Sequence, residues 1–292
     1  MSPQRITTRN SRFQVWQALL GNRTKRHKLG AFVVQGVRPL TLAVAHGWTV
    51  EALLYDPDRR ASEWAADLLA TAAGERFALS PELLRELGEK GDDVPELIAI
   101  VSIPDDDLSR VPVREDFLGV LFDRPTSPGN LGSIIRSADA FGAAGVLVTG
   151  HAADPYDTAA VRASTGSLFG IPTVRVPSPR DVLAWVEARR ADGIPLQLVA
   201  TDEDGDVDVF DIDLTAPTLL LIGNETAGLS AAWREAADRT VRIPITGAAS
   251  SLNAANAASI VLYEAARQRL TARSAERSGE AEHADVPVPM PE

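Results

Sequence analysis

An α/β protein of two domains is the fold class this sequence predicts, and three observations predict it. Short, β-branched apolar runs alternate with amphipathic stretches of helical period along most of the chain. The length of 292 residues favours two domains, and a polar, turn-rich segment divides the chain just beyond residue 104. Apolar residues make up 45% of the sequence, enough for a real core.

The elements follow in order. Residues 9–21 put Phe13, Trp16, Leu19 and Leu20 on one face of a short helix, and Arg23 to Lys28 follow as a basic loop. Ala31–Gln35 reads as a strand, and Pro39–His46 as a helix closed by Gly47. Val50–Tyr55 is a strand, Glu63–Ala73 a helix closed by Gly74, and Phe77–Leu79 a short strand. Ser80, Pro81 and Glu82 start a helix, with Ser at the cap and Pro at the first helical position. Glu96–Ile103 ends the first domain, taken as residues 1–104. A linker covers 105–113, and Phe117–Phe122 opens a second α/β series over 114–271. Its further strands are Val146–Val148, Thr173–Val176, Leu196–Ala200, Leu219–Ile222 and Val241–Ile245. Their nearly continuous apolar character fits a parallel sheet covered on both faces. A helix over Asp181–Arg190 and a last one from about Asn253 to Leu270 lie among and after them. Residues 272–292 are polar and read as a disordered tail.

Composition removes several classes of function. There is no cysteine, hence no disulfide framework, thiolate metal site or cysteine nucleophile. No run reaches the roughly 18 apolar residues of a membrane span, so a soluble cytoplasmic protein without membrane contact is expected. The four histidines, His27, His46, His151 and His283, are scattered, and no metal site is expected. The acidic run from Asp202 to Asp213 lacks calcium-loop spacing and reads as a solvated loop. Asp154, Pro155 and Tyr156 read as a turn rather than as an amino-methyltransferase motif. Neither a phosphate-binding P-loop nor a Gly-x-Gly-x-x-Gly fingerprint is present.

Charge is unevenly placed. The net charge is −11, yet the first 50 residues hold Arg5, Arg9, Arg12, Arg23, Lys25, Arg26, Lys28 and Arg38 with no Asp or Glu, leaving −19 for the other 242. A basic arm on an acidic body suits a phosphate backbone, and it also suits a plain solvated surface. The RNA contacts expected from it are Arg9, Arg12, Arg23, Lys25, Arg26, Lys28 and Arg38.

Three stretches carry chemistry, each a strand end, a turn and a helix start, where an α/β protein places its ligand. The first runs from Asn130 through Gly132 to Arg136. Ser127, Pro128, Gly129 and Asn130 signal a turn. Gly132 permits close approach, and Arg136 sits a turn further on the same face, unless it merely pairs with Asp139. The second, Ile222-Gly223-Asn224-Glu225-Thr226-Ala227-Gly228-Leu229, offers backbone groups to a flat ligand and places Glu225 to hold Arg136 or a substrate hydroxyl. The competing reading is a strand-to-helix turn capped by Ser230. The third joins Ile243, Pro244 and Ile245 to Ser251, Leu252, Asn253 and Asn256, where Ser251 and Asn253 either cap a helix or contact substrate.

In order and spacing these stretches resemble the SpoU/TrmH family of RNA ribose 2′-O-methyltransferases. The resemblance covers the second domain over its whole length. It implies a trefoil-knotted SPOUT parallel-sheet domain preceded by an L30e-like α/β substrate-binding domain. It implies S-adenosylmethionine (SAM) as cofactor, with contacts at Gly223, Ile243 and Leu252 and with Thr201 and Asn224 nearby. Active-site roles are implied for Asn130, Arg136, Glu225, Ser251 and Asn253. Ala254 and Ala255 stand where many relatives have Val-Ser, so a serine contact is missing. The substrate implied is rRNA, most closely the type of member that methylates a 23S rRNA uridine, with antibiotic resistance as a role. A tRNA substrate and an RNA-binding protein without catalysis are the alternatives.

The reaction needs a polarised ribose hydroxyl aligned behind the SAM methyl. Arg136 is the family's base, an awkward role for a guanidinium that almost never loses its proton. It can act instead as a charged stabiliser of alkoxide, with Glu225 as proton acceptor; the sequence leaves both open. The last helix carries Ile260, Leu262 and Tyr263 beyond its alanine-rich start, more apolar surface than one short face needs. A homodimer through this helix is expected, and the family likeness implies the same.

Overall fold

A computed structural model describes residues 4–88 and 93–284. The first half forms β1 (Gln4–Ile6), α1 (Ser11–Gly21), α2 (Arg23–Leu29), β2 (Ala31–Gln35), α3 (Val37–Ala45), β3 (Val50–Tyr55), α4 (Glu63–Thr71), β4 (Glu75–Leu79), α5 (Pro81–Leu87) and β5 (Leu97–Ser102). Its five strands lie in the order β1-β4-β3-β5-β2. Two differences from the sequence reading stand out. The short strand β1, outside any apolar run, pairs in parallel with the edge of β4. The supposed basic loop is helix α2, because Asn22 accepts from the Lys25 amide at its start and Gly30 takes the left-handed conformation at its end.

The second half forms β6 (Leu118–Asp123), α6 (Pro128–Ala140), β7 (Gly145–Thr149), α7 (Thr158–Ser164), α8 (Ser167–Gly170), β8 (Thr173–Val176), α9 (Pro179–Ala191), β9 (Gln197–Thr201), β10 (Val207–Asp208), β11 (Thr218–Ile222), α10 (Ala231–Ala236), β12 (Arg239–Arg242) and α11 (Ala254–Ala284). Seven strands make one sheet in the order β10-β12-β9-β11-β6-β7-β8, and every adjacent pair is parallel. The five residues of β11 are all buried, as a parallel strand covered on both faces requires. β10 arises inside the acidic run, which therefore joins the sheet edge instead of remaining a solvated loop. Helix α11 continues past Leu270 to Ala284, so part of the expected tail is helical; residues 285–292 lie outside the described residues.

Ser127, Pro128, Gly129 and Asn130 do not form a separate turn. Ser127 caps α6 by accepting from the Asn130 amide, and Pro128 occupies the first turn. Gly132 serves helix contact: a Cβ there would lie 2.3 Å from the Ala160 carbonyl oxygen of α7.

One apolar cluster runs through both halves, joining Phe32, Val34 and Leu40 to Val120, Ile134, Tyr156 and Phe169. Phe32 meets Tyr156 at 5.0 Å between ring centroids, and Trp48 meets Phe169 edge-on at the same distance. A buried ion pair reinforces this junction. Arg26 Nε donates to Asp154 Oδ2 at 2.7 Å, with both side chains at most 3% exposed. Its Nη atoms reach the Leu19 and Leu20 carbonyls and Asp157.

Candidate functional site

Strands β12, β9, β11 and β6 are consecutive in the sheet, so their C-terminal ends bring three loops together. A cleft of about 430 Å³ opens there. It is lined by Thr201, Asp202 and Glu203 after β9, by Ile222 to Thr226 and Gly228 after β11, and by Val241, Ile243, Ile245, Ser251, Leu252, Asn253, Ala254 and Ala257 after β12. Thr201, Gly223, Asn224, Ile243 and Leu252, expected on a cofactor, all border this one cleft, as do Glu225, Ser251 and Asn253. Val241–Ile245 is strand only as far as Arg242, which frees Ile243 and Ile245 to turn into the cleft. Asp202 and Glu203 were hidden in a run of seven acidic residues, where nothing in the spacing marks two of them as different.

The loop after β11 is held by its own backbone. Asn224 and Gly228 exchange amide-to-carbonyl hydrogen bonds at 3.0 Å, and Gly228 has φ +62°. The Asn224 carboxamide oxygen accepts from the Thr226 and Ala227 amides, and its Nδ2 donates to the Arg124 carbonyl. A Cβ on Gly223 would lie 2.6 Å from the Gly228 carbonyl carbon. Gly223 thus lets the loop fold on itself, and only its main chain faces the cleft. Thr201 donates its hydroxyl to the Leu221 carbonyl, which ties β9 to β11.

Glu225 points the other way, to the start of α6. Its Oε2 accepts from the Thr126 amide and hydroxyl, and its Oε1 from the Ser127 amide and Asn130 Nδ2 at 3.1 Å. Burial pushes the carboxyl up, but the hydrogen bonds from Thr126 and Asn130 outweigh it and hold Glu225 below the usual glutamate value. It does not contact Arg136. Asn130 Oδ1 in turn accepts from Asn253 Nδ2 at 3.2 Å. Asn253 Oδ1 caps α11 through the Ala255 amide at 2.9 Å. Glu225, Asn130 and Asn253 therefore form one track between two loops and two helix starts. Ser251 lies exposed on the cleft wall.

Arg136 is exposed on α6 and does not line the cleft. It has neither hydrogen bond nor ion pair among the described residues, so the alternative pairing with Asp139 is not made. Of the basic residues at the N-terminus, Lys25 and Lys28 are exposed with free ammonium groups. Arg9 pairs with Glu86 and Arg12 with Glu75, both at the surface. Arg23 and Arg38 donate to the Ala152 and Thr165 carbonyls. Arg26 is a correction to the expected RNA contacts: it is 1% exposed and consumed by Asp154 and Asp157. The described residues contain no cluster of side chains able to hold a metal ion.

Comparison with known proteins gives two family matches. Residues 10–99 match the SpoU L30e-like domain, and residues 118–263 match the SpoU rRNA methylase family. A 23S rRNA (uridine(2479)-2′-O)-methyltransferase of Streptomyces viridochromogenes is 66% identical over 272 residues, 93% of this chain and 95% of the relative. The crystal structure of the SpoU methyltransferase AviRb from the same organism, in complex with AdoMet, superposes with a TM-score of 0.87 at 67% identity. That match covers 90% of this chain and 99% of the other. An AdoMet-bound rRNA methyltransferase from Sinorhizobium meliloti is 33% identical, with a TM-score of 0.79 over 90% of this chain and 97% of its own.

Proposed function

The chain belongs to the SpoU rRNA methylase family, and from that membership we propose how its cleft and its basic surface are used. It is a SAM-dependent RNA 2′-O-ribose methyltransferase. Its substrate is 23S rRNA, and the group methylated is the ribose 2′-hydroxyl of a uridine. The observation that carries this reading is the cleft at the ends of β9, β11 and β12, joined by Glu225, Asn130 and Asn253 to the start of α6.

The cleft fits SAM on three counts. Its volume of about 430 Å³ lies within the range of small-molecule sites. Ile222, Ile243 and Leu252 give apolar walls for a flat base, beside the main chain of Gly223. Asp202 and Glu203 place negative charge on the wall, suited to a ligand carrying a sulfonium and an ammonium. When bound, SAM supplies an electrophilic methyl group.

The chain's own residues position the ribose and manage its charge. Glu225, with its oxygens already accepting four hydrogen bonds and its acidity increased, is an anchor for Asn130 and not the proton acceptor. Asn253 Nδ2 donates to Asn130 Oδ1, which ties the cleft wall at Asn253 to the start of α6. Arg136, a cation without a partner among the described residues, would stabilise the ribose alkoxide left when the 2′-hydroxyl gives its proton to solvent. Lys25 and Lys28 contact the RNA backbone.

A homodimer, a trefoil knot and cytoplasmic residence belong to the same proposal. The knot is supported by β11 lying between β9 and β6 while α11 packs back on α6 through Ser137 and Ser259, 2.7 Å apart. No helix among the described residues is long and apolar enough to cross a membrane. Protection of the ribosome from an antibiotic is the biological role proposed.

Mapping of ribose 2′-O-methyl groups on cellular RNA, with and without the gene, tests the substrate. One rRNA position should lose its methyl group in the deletion, and susceptibility to a ribosome-directed antibiotic should rise. A lost methyl on tRNA, with rRNA unchanged, would replace the rRNA reading by a tRNA one.

A further inference from the structure

The loop between Gly223 and Gly228 shapes one wall of the cleft, yet its main-chain hydrogen bonds are local and do not fix it to the sheet. Arg124 provides that attachment. It directly follows β6 with φ +51°, a left-handed conformation that L side chains rarely adopt. Its Nη2 donates to the Gly228 carbonyl at 3.0 Å, and its own carbonyl accepts from Asn224 Nδ2 at 2.6 Å. Both ends of the loop are thus gripped by one residue. On its other side Arg124 Nε donates at 3.0 Å to Asp123 Oδ2, a carboxylate 1% exposed. Asp123 is itself fixed by the Thr149 hydroxyl and the Ser230 amide. Gly150 leaves room for the arrangement: a Cβ there would lie 2.5 Å from Arg124 Cγ. Strain of this kind persists only where surrounding contacts over-determine it.

We propose that Arg124 is a positioning residue for the cofactor, clamping the Gly223–Gly228 loop to buried Asp123 so that the cleft is formed before SAM enters. It touches neither the cleft nor the reacting atoms and acts through Asn224 and Gly228. The inference rests on the reading of the cleft as the SAM site.

Arg124→Gly and Arg124→Lys, compared with each other, separate positioning from folding. Glycine accepts φ +51° without strain and keeps the main-chain carbonyl that accepts from Asn224. It loses the bond to Gly228 and leaves buried Asp123 without its cation, so the variant should melt lower, and its SAM affinity is read at a temperature where it is fully folded. Calorimetric titration of the full chain with SAM should show binding roughly tenfold weaker, the size of a modest coupling between sites. Arg124→Lys, which can make one of the two side-chain bonds, should bind with intermediate affinity. Unchanged SAM affinity in Arg124→Gly overturns the proposal. So does equal weakening in both variants in step with lowered melting temperatures, because that is the pattern of general destabilisation. Failure of the unaltered chain to bind SAM overturns the cofactor reading and the inference with it.

Discussion

Asn130 Nδ2 donates to Glu225 Oε1 at 3.1 Å, a bond that spans 95 residues of sequence and ties the start of α6 to the loop after β11. Through it Glu225 braces the two segments against each other. The hydrogen bonds at this carboxylate hold its folded pKa below the usual value. The sign follows: the stabilisation is complete above the unfolded value of about 4.3 and is lost as pH falls through the lower, folded value. Glu225→Gln should therefore be less stable than the unaltered chain at neutral pH, with the gap closing in acid. Its methyl-transfer rate should drop while the shape of the rate–pH profile stays the same. Loss of an acid limb from that profile would restore Glu225 as the base.

Arg136 stands apart from this brace, exposed and unpaired among the described residues. Arg136→Ala should abolish methyl transfer while leaving SAM affinity and melting temperature at wild-type values. Arg136→Lys should not restore the rate, because a point charge cannot reproduce the planar fork of a guanidinium. Turnover near the wild-type level in either variant would remove Arg136 from the chemistry.

The neighbours Lys25 and Arg26 should behave oppositely. Arg26→Gln leaves Asp154 buried without its partner, a loss of about 3–5 kcal/mol that urea unfolding would register. Replacing Lys25 and Lys28 with Gln should leave stability unchanged and weaken RNA binding. It should also flatten the salt dependence by roughly one unit of slope per lysine. Salt-independent, undiminished RNA affinity in that double variant would reduce the two lysines to surface charge.

Much of this was legible in the sequence, for reasons that can be named. The strands of the second half are continuous apolar runs such as Leu219–Ile222, and a parallel sheet is what such runs build. Loops that follow parallel strands meet at one end of the sheet, so the three stretches were legible as neighbours, while the family resemblance singled out Gly223, Ile243 and Leu252 within them. What stayed hidden depends on partners remote in sequence. Arg26 looks like Lys25 until Asp154, 128 residues away, is placed against it. β1 and β10 form by pairing with strands β4 and β12, not by any apolar period of their own. Glu225 is acidic in both readings, and only its four donors reveal that it is spoken for.

The last helix shows the same limit and leads to the final prediction. Leu262 of the supposed dimer surface is fully buried in the chain's own core, with Ala255 and Ala258 beside it. Ile260, Tyr263 and Leu270 are the residues that remain exposed, at 39%, 56% and 62%. Tyr263 also packs edge-on against Phe141 at the end of α6, so this outward face joins α11 to the helix that carries Arg136. A two-fold contact through that face would bring α6 of one protomer toward the other, and it would give Arg136 a cleft to serve that its own chain does not show. Sedimentation equilibrium at micromolar concentration should therefore report a dimer, and Tyr263→Glu should shift it to monomer with loss of methyl transfer. Mixing inactive Arg136→Ala and Asn253→Ala chains should recover part of the activity, since a mixed dimer then holds one site with both residues intact. A fully active species of 31.2 kDa would refute the dimer. A dimer whose mixture stays inactive would place Arg136 and Asn253 of each site on the same chain.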